Sequence, residues 1–378
     1  MTILPLILLA LSPIQIDGSF DDWAEGVTRQ EDTQYTYAII ELPNEQCLQQ
    51  LPQQKVVEIG EYTVFFSPNN KGYGVSCKKG EKWISPYEAG IIFAPTTAST
   101  KFELRVNKPN VKMPQTPFSF KRKGDVRVVS WNVQFGNLLD DKDRGARILK
   151  ALDPDVLLLQ ELDGVDTSET LCVFLDETLE KKWSAGLSKV HGTERHHQLR
   201  SAVATSFASK RNVSIDEQKA IYSVIDIQDK PVNFVSLHLR CCGGPTGEAE
   251  ERRQEESTAI HHLVDNTSSP RWIIAGDWNL VGTTKPLNIV RAGQFAIVEA
   301  YQPDGLLNAT WSDTTSSFTP GRLDWMLYSP ETLKPVNSFV LDTSDLDTTT
   351  LNNSNLNAED TAKLSDHLPL VADFELIK

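Results

Sequence analysis

Short apolar runs that close on polar signatures constrain this chain more than any other feature. They include Val126-Arg-Val-Val-Ser-Trp, Asp155-Val-Leu-Leu-Leu-Gln, Val232-Asn-Phe-Val-Ser-Leu, Trp272-Ile-Ile-Ala-Gly and Arg322-Leu-Asp-Trp-Met-Leu. Runs so apolar and so short read as strands buried on both faces, which need covering layers above and below. Helical spacing lies between them. Ile148, Leu149 and Leu152 recur at helical intervals, and the charged stretch from Glu248 to Val264 reads as a surface helix. The alternation predicts an α+β domain over residues 125–378.

A different pattern precedes it. Tyr62-Thr-Val-Phe-Phe, Gly90-Ile-Ile-Phe-Ala and Phe102-Glu-Leu-Arg-Val are strand-like, separated by turn-rich stretches such as Ser67-Pro-Asn-Asn-Lys-Gly. This spacing predicts a small all-β unit over residues 16–106, followed by a Pro-rich, basic linker over 107–124. The first residues, Met-Thr-Ile-Leu-Pro-Leu-Ile-Leu-Leu-Ala-Leu-Ser-Pro, are an apolar run too short to span a bilayer. Residues 1–15 are expected to be a secretory signal, with a secreted or periplasmic protein as the corollary; a buried strand is the other reading. No further segment is a membrane-span candidate.

Charge narrows the partners. The net formal charge is -14, with 10 Lys+Arg against 13 Asp+Glu in residues 1–120 and 27 against 38 in the rest. An acidic domain lacks the broad basic face that grips nucleic acid, although a bound cation supplies local positive charge to a phosphate. The five cysteines fit no zinc spacing. Cys47 and Cys77 form a pair or remain packing thiols; Cys241 and Cys242 are adjacent, lining a pocket or bridging to one another; Cys172 stands alone. His196-His197 and His261-His262 are neighbours whose side chains diverge, so they read as surface histidines. The polar stretch 342–361 reads as a long loop, either solvated or a lip over a site.

Six polar signatures carry the chemistry: Ser130-Trp131-Asn132, Gln160-Glu161, Leu237-His238-Leu239, Gly276-Asp277-Trp278-Asn279, Arg322-Leu323-Asp324 and Ser365-Asp366-His367-Leu368-Pro369. A lone strand-ending Asp usually caps a turn, but six ordered signatures exceed that explanation. In order, they resemble those of the endonuclease/exonuclease/phosphatase superfamily, the DNase I-like proteins, over residues 125–378. The resemblance implies a DNase I-like four-layer α/β sandwich, two packed mixed sheets flanked by helices. It implies hydrolysis of a phosphodiester or phosphomonoester by in-line water attack with Mg²⁺ or Mn²⁺. Glu161 and Asp366 match the family's metal carboxylates, and Asn132 matches the amide beside them. His367 matches its catalytic histidine, oriented by Asp324; Asp277 holds or activates the water and Asn279 donates to the phosphate. His238 stands where DNase I and the sphingomyelinases resemble this chain and where exonuclease III-type enzymes place a tyrosine. It suits binding of the scissile phosphate or protonation of the leaving oxygen. Leu-Val-Gly after Asn279 lacks the arginine of inositol 5-phosphatases. Nucleic acid and a phospholipid head group are therefore the expected substrates.

Ile16-Asp17-Gly18-Ser-Phe-Asp21-Asp22-Trp23 resembles the opening of β-sandwich modules of the family 9 carbohydrate-binding and DOMON-like groups. That implies a glycan or surface ligand stacked on Trp23, Trp83 and Tyr87, unless those aromatics fill a core. The competing reading of the whole chain is a carbohydrate- or surface-binding protein with a vestigial hydrolase domain.

Overall fold

The structure, a computed structural model, describes residues 14, 16, 20, 22–42, 53–69, 72–94, 101–109, 118–165, 167–190, 198–215, 218–244, 246–281, 283–313 and 321–377. The expected signal segment except Ile14, much of the linker, Cys47 and the pair His196-His197 lie outside them.

Among the described residues, the N-terminal unit has eight strands: β1 (Arg29–Glu31), β2 (Tyr35–Glu41), β3 (Lys55–Ile59), β4 (Tyr62–Asn69), β5 (Gly72–Lys79), β6 (Lys82–Ile84), β7 (Ile92–Ala94) and β8 (Lys101–Asn107). They form two four-stranded sheets, ordered β1-β2-β8-β7 and β3-β4-β5-β6. Alternate residues from both sheets meet in one core. Val57, Val64 and Phe66 of one face Ala38, Phe93, Phe102 and Leu104 of the other. Ile14 and Ile16 are buried in a smaller cluster with Trp23 and Tyr37. Trp23 is thus core rather than ligand platform, its indole donating to Glu103 at 3.4 Å. Trp83 and Tyr87 remain exposed.

The second unit holds β9 (Val126–Asn132), β10 (Val156–Leu162), β11 (Ser184–Leu187), β12 (Arg200–Thr205), β13 (Ala208–Ser214), β14 (Lys219–Ile227), β15 (Lys230–His238), β16 (Trp272–Asp277), β17 (Ala296–Ile297), β18 (Asp324–Tyr328), β19 (Leu333–Val340) and β20 (Leu370–Leu376). Its helices are α1 (Asn137–Asp140), α2 (Lys142–Leu152), α3 (Ser168–Leu179), α4 (Glu248–Asp265), α5 (Lys285–Arg291), α6 (Thr348–Asn353) and α7 (Asp360–Leu364). Two six-stranded mixed sheets result, ordered β11-β12-β10-β9-β20-β19 and β13-β14-β15-β16-β18-β17. They face one another across Val126, Val128, Val156 and Leu158 of one and Val232, Phe234, Ile273 and Met326 of the other. The intervening residues point outward. Val129, Trp131, Leu157 and Leu159 pack under α2 and α3, while Val235, Leu237 and Ile274 pack with Ile260 of α4 and Leu287 of α5. This is the four-layer α/β sandwich that the family resemblance implied. No described helix is long and apolar enough to cross a membrane.

Two expectations need correction. The surface helix α4 buries Glu250, Arg253, Glu256 and Ser257, with Arg253 and Glu256 bonded to the loop that precedes the helix. The polar loop at 342–361 contains α6, part of α7 and a short 3-10 turn at Thr343–Asp345. Asp342 and Asp347 accept from Ser344 N and Thr350 N, so polar residues that suggested a loop instead cap short helices.

One ion pair staples the first sheet. Arg127 is fully buried; its guanidinium donates to both Asp373 oxygens at 2.6 and 2.8 Å, to Phe120 O at 2.9 Å and to Leu152 O at 2.8 Å. Asp373 also accepts from Lys123 N and Asn337 Nδ2. Removing one partner of such a pair strands a buried charge. Asp373→Ala is therefore expected to lower the unfolding free energy by about 3–5 kcal/mol, measured by denaturant titration. A loss below about 1 kcal/mol would remove the staple from the account.

Candidate active site

The period of a strand builds the site. Along the inner faces, residues run Val126, Val128, Ser130, Asn132 on β9; Val156, Leu158, Gln160 on β10; Val232, Phe234, Ser236, His238 on β15; and Ile273, Ala275, Asp277 on β16. Each face is apolar at one end and polar at the other, and the polar ends coincide. β9 pairs β10 in parallel with Asn132 opposite Gln160, and β15 pairs β16 with His238 opposite Asp277. Antiparallel β18 then sets Asp324 opposite Asp277. Between sheets, the Gln160 amide donates to Ser236 Oγ at 3.0 Å, closing the seam beneath the site.

Glu161 breaks the alternation. By parity it belongs on the helix-covered face, yet it has φ 58° at an irregularity in the β10–β12 ladder between Leu159 and Leu162. That turn brings its Oε1 to 3.1 Å from Asn132 Nδ2, while Oε2 accepts from Phe135 N at 3.2 Å. Strained backbone of this kind concentrates at functional sites. Gly276 is the second device. Its φ is 151°, and a Cβ there would lie 1.9 Å from Leu237 O of the adjacent strand.

Asp277 Oδ2 is the hub. It accepts from Asn132 Nδ2 at 3.0 Å and Asn279 Nδ2 at 2.9 Å, with His238 Nε2 at 3.5 Å and His367 Nε2 at 3.7 Å. Asn279 N donates to Oδ1 at 2.9 Å. His367 Nδ1 meets Asp324 Oδ2 at 2.7 Å, an orienting carboxylate–imidazole pair with Asp324 fully buried. Trp131 Nε1 donates to His367 O at 3.0 Å, and Ser365 Oγ links His367 N to Asn132 O.

Environment separates the charges. Burial pushes Asp277 up to about 7, helped by the carboxylates of Asp324 and Glu161 against the pull of His367. Burial alone lowers His367, but Asp324 and Asp277 outweigh it and hold the imidazole at about 10. His238 is pushed well below its ordinary value by burial, then by the charges of Lys219 and His367. One imidazole is therefore cationic at neutral pH and the other neutral.

Seven of the eight expected residues converge: Asn132, Glu161, His238, Asp277, Asn279, Asp324 and His367. Glu161, His238 and Asp277 form one set of clustered ligand atoms, and Asp277, Asp324 and His367 another. Asp366 belongs to neither; its Oδ2 accepts from Trp311 Nε1 at 3.0 Å. Sequence reading missed the segment that carries Trp311. Thr310 Oγ1 accepts from Leu323 N at 3.0 Å and Asp324 N at 2.8 Å, fixing the carboxylate that orients His367. The only sequence signal was an aromatic residue in a polar stretch.

The model of the Endonuclease/Exonuclease/phosphatase family matches residues 129–367. No curated protein matches significantly. Among solved structures, a family protein from Leptotrichia buccalis C-1013-b is 18% identical, covering 66% of this chain and 99% of its own, with a TM-score of 0.48. The human Nocturnin catalytic domain with bound sulfate is 20% identical over 68% of this chain and 97% of its own, TM-score 0.47. Staphylococcus aureus beta toxin is 16% identical over 66% and 99%, TM-score 0.44.

Two outcomes follow from the geometry. Gly276→Ala is expected to cost about 3 kcal/mol or more in denaturant unfolding, since backbone must yield on both strands. A neutral substitution would refute the close approach. In metal-free protein, histidine NMR is expected to show His367 protonated at pH 8, and Asp324→Asn to bring its titration back toward 6.5. The raised value stabilises the fold fully below the unfolded pKa near 6.5, and that contribution is lost as pH rises through about 10. Unchanged titration in the variant would count against the pair.

Proposed function

Because this chain belongs to the endonuclease/exonuclease/phosphatase family and is a phosphoric ester hydrolase, we propose that it cleaves a phosphodiester, or a phosphomonoester, by in-line attack of water with Mg²⁺ or Mn²⁺ bound. The observation that carries this reading is the convergence of two amides and two imidazoles, one cationic and one neutral, on Asp277 Oδ2, with the carboxylates of Glu161 and Asp324 clustered beside it. A cation fits the donor set. Glu161 and Asp277 offer hard oxygen ligands beside Asn132, and the carboxylates Glu161, Asp277 and Asp324 outnumber the one cationic imidazole. Glu161 and Asn132 would hold the ion, with Asp366, engaged by Trp311, as the remaining carboxylate of the expected set. The ion would offset the substrate's negative charge.

The chain's own residues supply the proton chemistry. Asp277, with a pKa near 7, suits accepting a proton from the attacking water. Neutral His238 and the Asn279 amide reach the same oxygen and suit holding a phosphate oxygen by hydrogen bonding. Cationic His367, fixed by Asp324, suits stabilising charge on phosphate and giving a proton to the leaving oxygen. The net charge of -14 argues against a broad nucleic-acid face, so recognition would rest on the scissile group and its immediate neighbours. Nucleic acid and a phospholipid head group are the substrate classes we propose, for a secreted protein.

The test is a screen of the purified chain on bis-p-nitrophenyl phosphate, p-nitrophenyl phosphate, plasmid DNA, RNA and sphingomyelin, with Mg²⁺, Mn²⁺ or EDTA. Hydrolysis abolished by EDTA is expected. Asp277→Asn and His367→Ala are expected to reduce turnover by about 100-fold or more with native tryptophan fluorescence retained. Near-normal turnover in either would overturn these roles. Glu161→Gln is expected to raise the half-activating metal concentration about tenfold or more.

A further inference from the structure

A pair of thiols stands near the site and takes no part in the proposed hydrolysis. Cys241 and Cys242 follow His238 by three and four residues, both exposed, with their sulfurs 3.0 Å apart. The segment carrying them is held by helix α4. Arg253, fully buried, donates to Arg240 O at 3.0 Å, Cys242 O at 2.8 Å and Gly244 O at 2.8 Å. Glu250 holds that guanidinium at 2.9 Å, and Glu256 accepts from Arg240 N at 2.8 Å. Cys242 itself takes φ 67°, and a Cβ on Gly243 would lie 2.7 Å from Ala249 of the helix. A surface loop that needed only to be solvated would not require a buried arginine across three of its carbonyls.

We propose that Cys241 and Cys242 are a dithiol modification site that a disulfide-bearing small oxidant converts reversibly to a vicinal disulfide, and that the hydrolase site senses the change. In the reaction, one thiolate attacks the oxidant's S–S bond, forming a mixed disulfide and expelling one thiolate. The second cysteine attacks the mixed bond at the protein sulfur, forming the Cys241–Cys242 bond and expelling the other thiolate. The oxidant gains two electrons, and the two thiol protons pass to its departing sulfurs. Adjacent Cα atoms lie about 3.8 Å apart, inside the separation disulfides ordinarily span, so the ring is strained and readily reduced. Although the residue is exposed at the surface, its sulfur is partly desolvated, and this, then the neighbouring Cys242, pushes the Cys241 thiol up to about 11. Exchange should therefore quicken with rising pH as the thiolate fraction grows.

The route to the site is short. Leu239, two residues before Cys241, donates its N–H to Asp277 O at 2.9 Å, and its carbonyl accepts from Asn279 Nδ2 at 3.2 Å. A ring closing at 241–242 alters the backbone that these bonds depend on. The sensing part of the proposal rests on the phosphoesterase reading; the chemistry of the pair does not.

The whole chain would be treated with oxidised glutathione at pH 8.5, alkylated, digested without reduction and mapped by mass spectrometry. The expected product is a peptide spanning both cysteines that is lighter by two hydrogens, loses both alkylatable thiols and regains them on reduction. Alkylation of both sulfurs, or glutathione retained on either, would overturn the site. Hydrolysis of bis-p-nitrophenyl phosphate should change about twofold or more on oxidation and return on reduction. The double variant Cys241→Ser/Cys242→Ser should be unaffected. A disulfide that forms without changing a measurable activity overturns the sensing and leaves the modification. Arg253→Lys should shift the product toward the mixed disulfide, because its ammonium cannot span the three carbonyls.

Discussion

Everything in the larger unit depends on the burial of two β-sheets against each other. Each of β9, β10, β15 and β16 buries alternate residues in the seam and the intervening ones beneath helices, so neither face is free to meet water. An arrangement of this kind tolerates no register slip, because shifting a strand by one residue exchanges its two buried faces. The rigidity is what lets a set of hydrogen-bonding groups be held in one arrangement. Along these four strands the polar seam residues gather at one end, where Ser130, Gln160 and Ser236 give way to Asn132, His238 and Asp277.

At that end a single carboxylate oxygen organises the surroundings. Two amides donate to Asp277 Oδ2 while two imidazoles approach it. Burial makes the Asp277 charge expensive, so its proton affinity rises; proximity to Asp324 makes the His367 charge favourable, so its proton is retained. The two imidazoles beside the same oxygen diverge, His367 raised and His238 lowered, the condition for dividing charged and neutral roles between them.

The N-terminal unit is tied to this apparatus. Leu306, from the segment following β17, is buried in the N-terminal core, and the Tyr301 hydroxyl lies 2.7 Å from both Ile16 O and Glu299. The same segment continues to Thr310 and Trp311, which hold Asp324 and Asp366. The all-β unit therefore braces the strand-to-strand connection that carries two of the site's supports. With Trp23 in its core, only Trp83 and Tyr87 of the three aromatics are exposed, and Trp83 packs on Phe65 with the Lys78 ammonium over its ring.

The sequence by itself determined the layers and much of the site. Alternating apolar residues specify which strands are buried, and the polar residue that closes each run continues the same alternation, so Asn132, His238 and Asp277 were legible together. Helix α4 was legible in extent but not in burial, since Arg253 becomes a core residue only because the loop preceding the helix folds back to offer it three carbonyls. Only the tertiary structure decided the position of Glu161, whose parity points to the wrong face until a left-handed residue in the ladder turns it inward. It also decided that Asp366 faces Trp311 and that Thr310 supports Asp324, because those bonds join segments whose separation along the chain carries no periodicity. Local alternation encodes which face a residue occupies; irregular backbone and long-range pairing decide where its polar atoms go.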